Sequence, residues 1–380
     1  MKPAIGTAIE DLPTPSLLLD LDVLESNLDF MQDRATRLGV RLRPHIKTHK
    51  CIEIARMQRD RGAVGITVST LEEARAFAAR GFDDITWAFP LIPSRLDDLA
   101  EIGDSARLAV TVDSTAAVEA LEAHGHAGPV WIKVDCGYGR AGVDPEDDHA
   151  VELARRVLDS ARLELRGCLT HAGHTYSQKS TEDVTNVAEE ERRVMVAFGE
   201  RLRAGGIEPG QLSVGSTPGM SLVDSLDGID EARPGNYALY DYTQTLIGSC
   251  GIERSATSVL TTVVSSRPGG DRSVADSGAL VMSKDVGREQ PPHFGRIYES
   301  IESGGLDPDL RLLSVSQEHS IVSRALPVGT RLRVSPNHSC LTVAQFDHFT
   351  VVRGNTVTNL WKIWRDRGPF VHPEEVADPA

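Results

Sequence analysis

The stretch GITVSTLEEARAFAARG, residues 65–81, decides the fold class that the sequence predicts. Its first five residues form a short apolar run with β-branched side chains, which is typical of a buried strand. The residues that follow place apolar side chains at helical spacing and end at a glycine, which is typical of a helix and its C-terminal cap. The stretch therefore predicts one strand followed by one helix, the unit from which parallel α/β folds are built.

Similar units recur along the chain up to about residue 250. Strand-like runs occur at residues 40–45, 65–69, 85–89, 107–113, 129–135, 163–171, 211–216 and 229–235. Helical stretches separate most of these runs, although the last connections are short. Eight alternating strands and helices are the pattern of a TIM (β/α)8 barrel, which we place at residues 21–250.

Beyond this point the sequence predicts strands joined by turns. Residues 258–278 contain two strand-like runs around a Pro-Gly-Gly turn, and residues 348–364 contain two more around a Gly-Asn turn. We therefore predict a C-terminal β-domain at residues 251–370. The short apolar segment at residues 16–20 can either pair with this domain or lead into the barrel.

Composition and charge narrow the class of protein. The chain has 380 residues, of which 40% are hydrophobic and 25% charged, as in ordinary soluble globular proteins. A formal net charge of −15 argues against nucleic acid or an anionic membrane surface as a partner. No apolar run approaches the roughly 18 residues of a membrane span. The five cysteines are scattered and odd in number, which indicates a reducing compartment, so we expect a cytoplasmic protein.

Chemically active side chains cluster after the predicted barrel strands, where TIM barrels carry their functional residues. These side chains are Lys47, Arg140, His171, His174, Tyr176, Ser216, Thr217 and Arg233, with Gly235 and Asn236 beside them. VGSTPG and RPGN offer small residues, hydroxyls and backbone N–H groups, which suit a phosphate cradle after the last two strands. A lysine on the same rim as a phosphate cradle suggests pyridoxal phosphate. Alone, however, a lysine after a strand is usually a solvated rim residue.

A second informative segment is PNHSC, residues 336–340. If the segment is extended, His338 and Cys340 point the same way because side chains two residues apart share a face. An imidazole and a thiolate on one face suit Zn²⁺. A His-X-Cys sequence also occurs by chance, so the spacing alone does not establish a metal site.

Five segments in chain order resemble the fold-type III pyridoxal-phosphate enzymes, and among them the D-serine dehydratase and D-threonine aldolase family. These segments are RPHIKTHK, DCGYGRAGV, LTHAGHTYS, VGSTP and RPGNYALY. The resemblance implies an alanine-racemase-like barrel with a β-domain, and a Schiff base between the cofactor and Lys47. It places Arg140 at the phenolic oxygen of the cofactor and Arg233 at the pyridine nitrogen. It gives the phosphate to Ser216, Thr217, Gly235 and Asn236, with Tyr176 near the ring or the phosphate.

The same resemblance implies a metal on His338 and Cys340, with zinc expected and manganese or magnesium as alternatives. The dehydratase branch has this His and Cys, whereas the aldolase branch usually has Asp where this chain has Cys340. We therefore expect dehydration of D-serine or D-threo-3-hydroxyaspartate to a 2-oxo acid and ammonia. The alternative is D-threonine aldolase chemistry, with His171 or His174 as the base. A racemase or a non-catalytic pyridoxal-binding protein is less favoured.

The family is typically dimeric, so a homodimer is implied by the resemblance. His49, Lys50 and His319 receive no role from the sequence.

Overall fold

The computed structural model describes residues 4–302 and 304–365, so the last residues of the predicted β-domain, 366–370, lie outside it. In chain order the strands are β1 (Ser16–Asp20), β2 (Arg41–Leu42), β3 (Ile66–Val68), β4 (Asp84–Pro90), β5 (Arg107–Val112), β6 (Gly128–Lys133), β7 (Leu163–Leu169), β8 (Gln211–Val214), β9 (Glu231–Ala232), β10 (Thr257–Ser266), β11 (Ser273–Ala275), β12 (Arg296–Tyr298), β13 (Leu306–Val315), β14 (Ser320–Val322), β15 (Arg331–Ser335), β16 (His348–Arg353) and β17 (Thr356–Lys362).

The helices connect these strands and, in the first part of the chain, follow the barrel strands. They are α1 (Leu21–Arg37), α2 (Ile52–Asp60), α3 (Leu71–Ala78), α4 (Leu96–Gly103), α5 (Thr115–His124), α6 (Asp148–Asp159), α7 (Thr181–Ala204), α8 (Thr217–Leu222), α9 (Tyr242–Leu246), α10 (Ala279–Met282) and α11 (Ser339–Val343). Within the described residues, no helix combines the length and the apolar character that a membrane span requires.

Strands β2 to β9 form one parallel sheet of eight strands, in the order β2-β9-β8-β7-β6-β5-β4-β3. Its two edges meet where the N–H of Thr67 donates to the Pro44 carbonyl at 2.8 Å and His45 pairs with Thr67. The sheet therefore closes on itself, and the predicted TIM barrel is confirmed.

The first and last barrel strands are shorter than the sequence predicts. Regular pairing covers Arg41–Leu42 in β2 and Glu231–Ala232 in β9. Two further ladder bonds follow, from the N–H of Arg43 to the carbonyl of Ala232 at 2.9 Å and from the N–H of His45 to the carbonyl of Pro234 at 3.0 Å. Pro44 and Pro234 have no N–H to donate, which limits the ladder at this end of both strands.

Side-chain caps start the helices directly after the strands. In α3 the N–H of Glu73 donates to the Thr70 hydroxyl at 3.2 Å, and in α5 the N–H of Ala117 donates to the Ser114 hydroxyl at 3.3 Å. Helix α5 ends at Gly125, whose φ of 76° lies in the left-handed region that favours glycine. These caps keep the strand-to-helix turns short, so the strand ends gather on one rim.

Ion pairs around the buried Arg43 hold the opposite end of the barrel. The Arg43 guanidinium lies 2.7 Å from the Glu231 carboxylate and 2.9 Å from the Asp84 carboxylate. Glu231 and Asp84 begin their strands, so this network lies away from the rim where TIM barrels bind their substrates. Its role is in the stability of the barrel.

The remaining strands form a nine-stranded sheet in the order β11-β14-β13-β12-β15-β10-β1-β16-β17, in which β11 also pairs with β10. Strand β1 lies between β10, which runs antiparallel to it, and β16, which runs parallel. Asp20, at the end of β1, caps α1 by accepting from the N–H of Val23. The segment at residues 16–20 therefore does both things left open by the sequence: it pairs with the C-terminal strands and leads directly into the barrel.

Candidate active site

A cavity of about 460 Å³ lies at the carboxyl ends of the barrel strands, between the barrel and the β-domain. It is lined by every side chain that the sequence singles out as a site residue, apart from His174. These residues are Lys47, Arg140, His171, Tyr176, Ser216, Thr217, Arg233, Gly235, Asn236, His338 and Cys340.

Lys47 lies in a one-turn 3-10 helix, Ile46–Thr48, that follows β2. This turn places the half-buried Lys47 side chain in the lining of the cavity. Burial lowers the pKa of the Lys47 amine, and the charge of Arg140 adds to this, while the neighbouring Cys340 opposes it. A lysine with a lowered pKa provides more of the neutral amine that can react with a carbonyl or accept a proton.

The other basic residues of this segment have structural roles. Lys50 is buried, and its ammonium lies 2.7 Å from the Glu73 carboxylate. His49 is fully buried; its Nδ1 accepts from the N–H of Cys51, and burial lowers its pKa to about 3. These contacts fasten the turn that presents Lys47. His319, in contrast, is exposed and does not line the cavity.

The loops after β8 and β9 approach each other closely at the rim. A Cβ on Gly235 would lie 2.6 Å from the carbonyl oxygen of His45, so only glycine fits there. The Ser216 hydroxyl accepts from Thr175, and the Thr217 hydroxyl accepts from the N–H of Tyr237. These bonds join three neighbouring loops into one concave surface.

Backbone donors are available on this surface. Among the described residues, nothing accepts from the backbone N–H groups of Gly235 and Asn236. The side-chain amide nitrogen of Asn236 is already used, because it donates to Asp241 at 2.8 Å and to Ser339 at 2.9 Å. Free backbone N–H groups beside hydroxyls suit a phosphate, so this surface fits the phosphate of pyridoxal phosphate.

Arg233 is buried beneath the cavity and is held by two bonds. It donates to the Ser213 hydroxyl and to the Thr170 carbonyl. Ser213 in turn donates to Glu231 at 2.9 Å, which connects Arg233 to the ion pairs at the other end of the barrel. Arg233 is therefore a fixed cation in the wall of the cavity.

His171 presents a defined tautomer to the cavity. Its Nδ1 lies 2.9 Å from the Gly215 carbonyl, so Nδ1 carries the proton and Nε2 remains an acceptor. Burial lowers the pKa of His171 well below its ordinary value, and the charge of Lys47 adds to this. The ring is therefore neutral near pH 7. His174 instead stacks on Tyr138, with ring centroids 5.8 Å apart, and lies outside the set of described residues that line the cavity.

Two functional neighbours of these loops were not singled out from the sequence. Glu191, on α7, is fully buried and accepts from the N–H groups of Ala172 at 2.8 Å and Gly215 at 3.3 Å. It therefore ties the loop of His171 to the loop of Ser216. Lys133, the last residue of β6, also lines the cavity. The sequence did contain an indication of Lys133, because a charged side chain interrupts the apolar run PVWIKVD.

The segment around His338 and Cys340 is not extended, so the reason given above for their proximity is wrong. His338 caps α11 and Cys340 lies in its first turn, because the chain turns into a helix at Ser339. The two side chains nevertheless lie close enough to affect each other. Burial by itself would lower the pKa of His338, but Cys340 and Asp285 raise it to about 11, and His338 lowers the pKa of Cys340 against the effect of burial.

A partner for His338 was also missed. Its Nδ1 lies 2.7 Å from a carboxylate oxygen of Asp285, which leaves Nε2 for another ligand. In the described part of the chain, no group of three or more His, Cys, Asp or Glu side chains converges as a metal site. His338 and Cys340 themselves offer an imidazole and a thiolate, a donor pair that suits Zn²⁺.

Comparison with known proteins identifies two adjoining families. Residues 19–243 match the family described as "Alanine racemase, N-terminal domain", and residues 256–352 match the "Putative serine dehydratase domain". The chain is 38% identical to the D-threo-3-hydroxyaspartate dehydratase of Delftia sp. (strain HT23), with 92% of this chain and 97% of that protein covered. It is 33% identical to the D-serine dehydratase of Dictyostelium discoideum, with 93% and 97% covered. It is 31% identical to the D-threonine aldolase of Arthrobacter sp, with 94% of each covered.

Solved structures agree with these relatives. The structure of the Delftia enzyme matches with a TM-score of 0.90 at 36% identity, with 95% of this chain and 99% of that chain covered. Two further structures of a D-threo-3-hydroxyaspartate dehydratase are alanine variants of a histidine and of a cysteine two positions further on. The cysteine variant is described as being in the metal-free form.

Proposed function

Because this chain belongs to the fold-type III pyridoxal-phosphate enzymes, in the family of D-serine dehydratases, D-threo-3-hydroxyaspartate dehydratases and D-threonine aldolases, we propose that it is a lyase acting on D-configured β-hydroxy amino acids. Its main reaction in this proposal is dehydration to a 2-oxo acid and ammonia. The observation that carries it is the contact between the proposed metal ligands and the turn that presents Lys47. The sulfur of Cys340 lies 3.3 Å from the hydroxyl of Thr48, the residue after Lys47.

The cofactor in this proposal is pyridoxal phosphate. Lys47 would hold its aldehyde group, the cradle with Gly235 and Asn236 its phosphate, and Arg233 its ring nitrogen. When bound, the cofactor supplies an electron sink for negative charge at the substrate Cα. The cations in the cavity wall support an anionic ligand of this kind, and the unused N–H groups of the cradle support its phosphate.

The chain's own residues then have separate tasks. Lys47, whose amine is made less basic by burial, accepts the Cα proton at Nζ. His338 and Cys340 would hold a divalent metal, zinc being the metal that suits an imidazole and a thiolate, and this metal would supply Lewis acidity at the β-hydroxyl. Asp285 holds the His338 ring through Nδ1, which would leave Nε2 free to bind that metal.

The second candidate reaction is retro-aldol cleavage to glycine and an aldehyde. The observation that favours it is the neutral His171, whose free Nε2 faces the same cavity and could take the proton of the β-hydroxyl. Cys340 and the higher identity to the dehydratases favour dehydration.

The test is product analysis with a panel of D-serine, D-threonine and D-threo-3-hydroxyaspartate, each with and without a chelator. We expect 2-oxo acid and ammonia from D-serine or D-threo-3-hydroxyaspartate, and loss of both with the chelator. Glycine and acetaldehyde as the main products of D-threonine would establish the aldolase instead. No turnover of any of these substrates would refute the proposal.

The proposed assembly is a homodimer. Leu280, Val286 and Leu341 are exposed apolar side chains of the β-domain, and Val286 also lines the cavity, which supports an interface on this domain. Light scattering after gel filtration tests this, and a mass of one chain would refute it.

A further inference from the structure

Lys133 places an ammonium group at the wall of the cavity. Its side chain lines the cavity, and the residue is only 4% exposed. Across residues 4–302 and 304–365, its ammonium makes no hydrogen bond or ion pair. Lys50, another buried lysine near the site, differs from Lys133 because its ammonium forms an ion pair with Glu73.

The surroundings make this charge more costly. The charges of Arg233 and Arg140 repel it, while Cys136, Asp113 and the Glu191 carboxylate attract it, none of them through a hydrogen bond. A cation at a largely buried residue, repelled by two neighbouring guanidinium groups, is destabilising unless an anion pairs with it. Among the described residues, the ammonium in the cavity wall therefore has attractive charges nearby but no direct partner.

We infer that Lys133 is an anion-binding residue of the cavity, whose ammonium pairs with an anionic oxygen of the bound reactants. This inference rests on the proposed function, which supplies two sources of such an oxygen. One is the phenolic oxygen of pyridoxal phosphate, and the other is the carboxylate of the amino acid substrate. Lys133 is distinct from Lys47, because it lies at the end of β6 and takes no part in holding the aldehyde.

The first arm of the test measures thermal stability of the full-length protein after removal of the cofactor. Lys133→Met removes the charge and keeps the length of the side chain. We expect it to raise the melting temperature of the ligand-free protein by about 2–4 °C, because an unpaired buried charge is removed. Lys179→Met, at an exposed lysine outside the cavity, is the matched control and should change nothing.

The second arm identifies the anion. If Lys133 binds the cofactor, Lys133→Met weakens pyridoxal phosphate binding by about 10- to 100-fold and shifts its visible absorption band, while KM for D-serine at saturating cofactor is retained. If it binds the substrate carboxylate, cofactor binding is retained and KM for D-serine rises by about 10- to 100-fold.

Several outcomes would overturn the inference. One is a variant with unchanged cofactor affinity, spectrum and KM. A second is a ligand-free Lys133→Met protein that is less stable than the wild type. A third is that Lys133→Met and Lys133→Gln both fail to fold. In either case Lys133 would be needed for the fold. If the wild type turns over none of the D-amino acids, the proposed function fails separately, and the stability and cofactor-binding measurements still test Lys133.

Discussion

The sulfur of Cys340 lies 3.3 Å from the hydroxyl of Thr48, one residue after Lys47. The β-domain thus places its thiol against the barrel turn that presents the lysine. Cys340 also acts on the Lys47 amine electrostatically, opposing the effect of burial on its pKa. Replacing Cys340 should therefore change the pKa of the Lys47 amine as well as the binding of a metal.

The assignment of Lys47 predicts where the cofactor is attached. Reduction of the purified protein with borohydride should fix pyridoxal phosphate on the peptide that contains Lys47, as mass spectrometry of a digest would show. Lys47→Ala should lower turnover by about 10³-fold or more, because it removes both the point of attachment and the proposed base. A label on Lys50 or Lys133 would contradict the assignment.

Metal binding by His338 and Cys340 should depend on Asp285 as well as on Cys340 itself. Cys340→Ala should abolish bound metal, and Asp285→Asn should weaken metal affinity by about 10- to 100-fold, because the His338 ring loses its orienting partner. Metal content after dialysis and competition with a chromophoric chelator measure both effects without turnover.

Cys250→Ala is a suitable control for these variants. Cys250 is also a free cysteine, but it lies outside the described cavity lining. Its replacement should leave metal affinity unchanged. Full metal content in Cys340→Ala would remove the basis for the proposed site.

The strand ends could be predicted because they depend on local patterns. The alternation of strands and helices predicts which residues lie at the rim: Arg233 follows β9 directly, and Lys47 lies five residues after the end of β2. Lys133 could have been found by the same reasoning, since a charge inside the apolar run of β6 has no local explanation.

Other parts of the site depend on contacts that no local pattern contains. Asp285 meets His338 across 53 residues and Glu191 meets Ala172 across 19, and only the folded chain brings them together. The segment with Cys340 was expected to be extended after β15, but its residues begin α11 instead. The proximity of His338 and Cys340 was therefore expected for a reason that the structure does not support.

Glu191 accepts two buried hydrogen bonds, so its replacement should have a large effect on stability. Glu191→Ala leaves the N–H groups of Ala172 and Gly215 buried without an acceptor, which should lower the free energy of unfolding by about 2–5 kcal/mol. Glu191→Gln should cost less, because its amide oxygen can still accept. Denaturant unfolding of the three proteins measures the order.

A matched control for Glu191 lies next to it in the sequence. Glu190 forms an ion pair with Arg193 at the surface, where its side chain is 47% exposed. Glu190→Ala should therefore change stability by less than about 1 kcal/mol. Equal losses in Glu190→Ala and Glu191→Ala would contradict the positioning role of Glu191.

The buried charge of Lys133 predicts a specific dependence of stability on pH. Burial lowers the pKa of Lys133 from 10.5 to about 8, and the charges of Arg233 and Arg140 contribute. Below about pH 8 the lysine is charged in both the folded and the unfolded state, so the full cost of burying the charge is present. Between about pH 8 and 10.5 the unfolded state binds more protons, so the stability of the wild type rises with pH as this cost disappears.

The pH prediction is measured as the difference in melting temperature between ligand-free Lys133→Met and the wild type. The charges that act on Lys133, those of Arg233, Arg140, Cys136, Asp113 and Glu191, are present in both proteins, so their contributions largely cancel in the difference. The variant should be the more stable protein at pH 7, and the difference should shrink towards zero by about pH 10.5. Lys179→Met should show no such trend. A difference that stays constant across this range, or that favours the wild type at pH 7, would mean that Lys133 already has a partner in the free protein, and its assignment as a binding residue for an anion would fail.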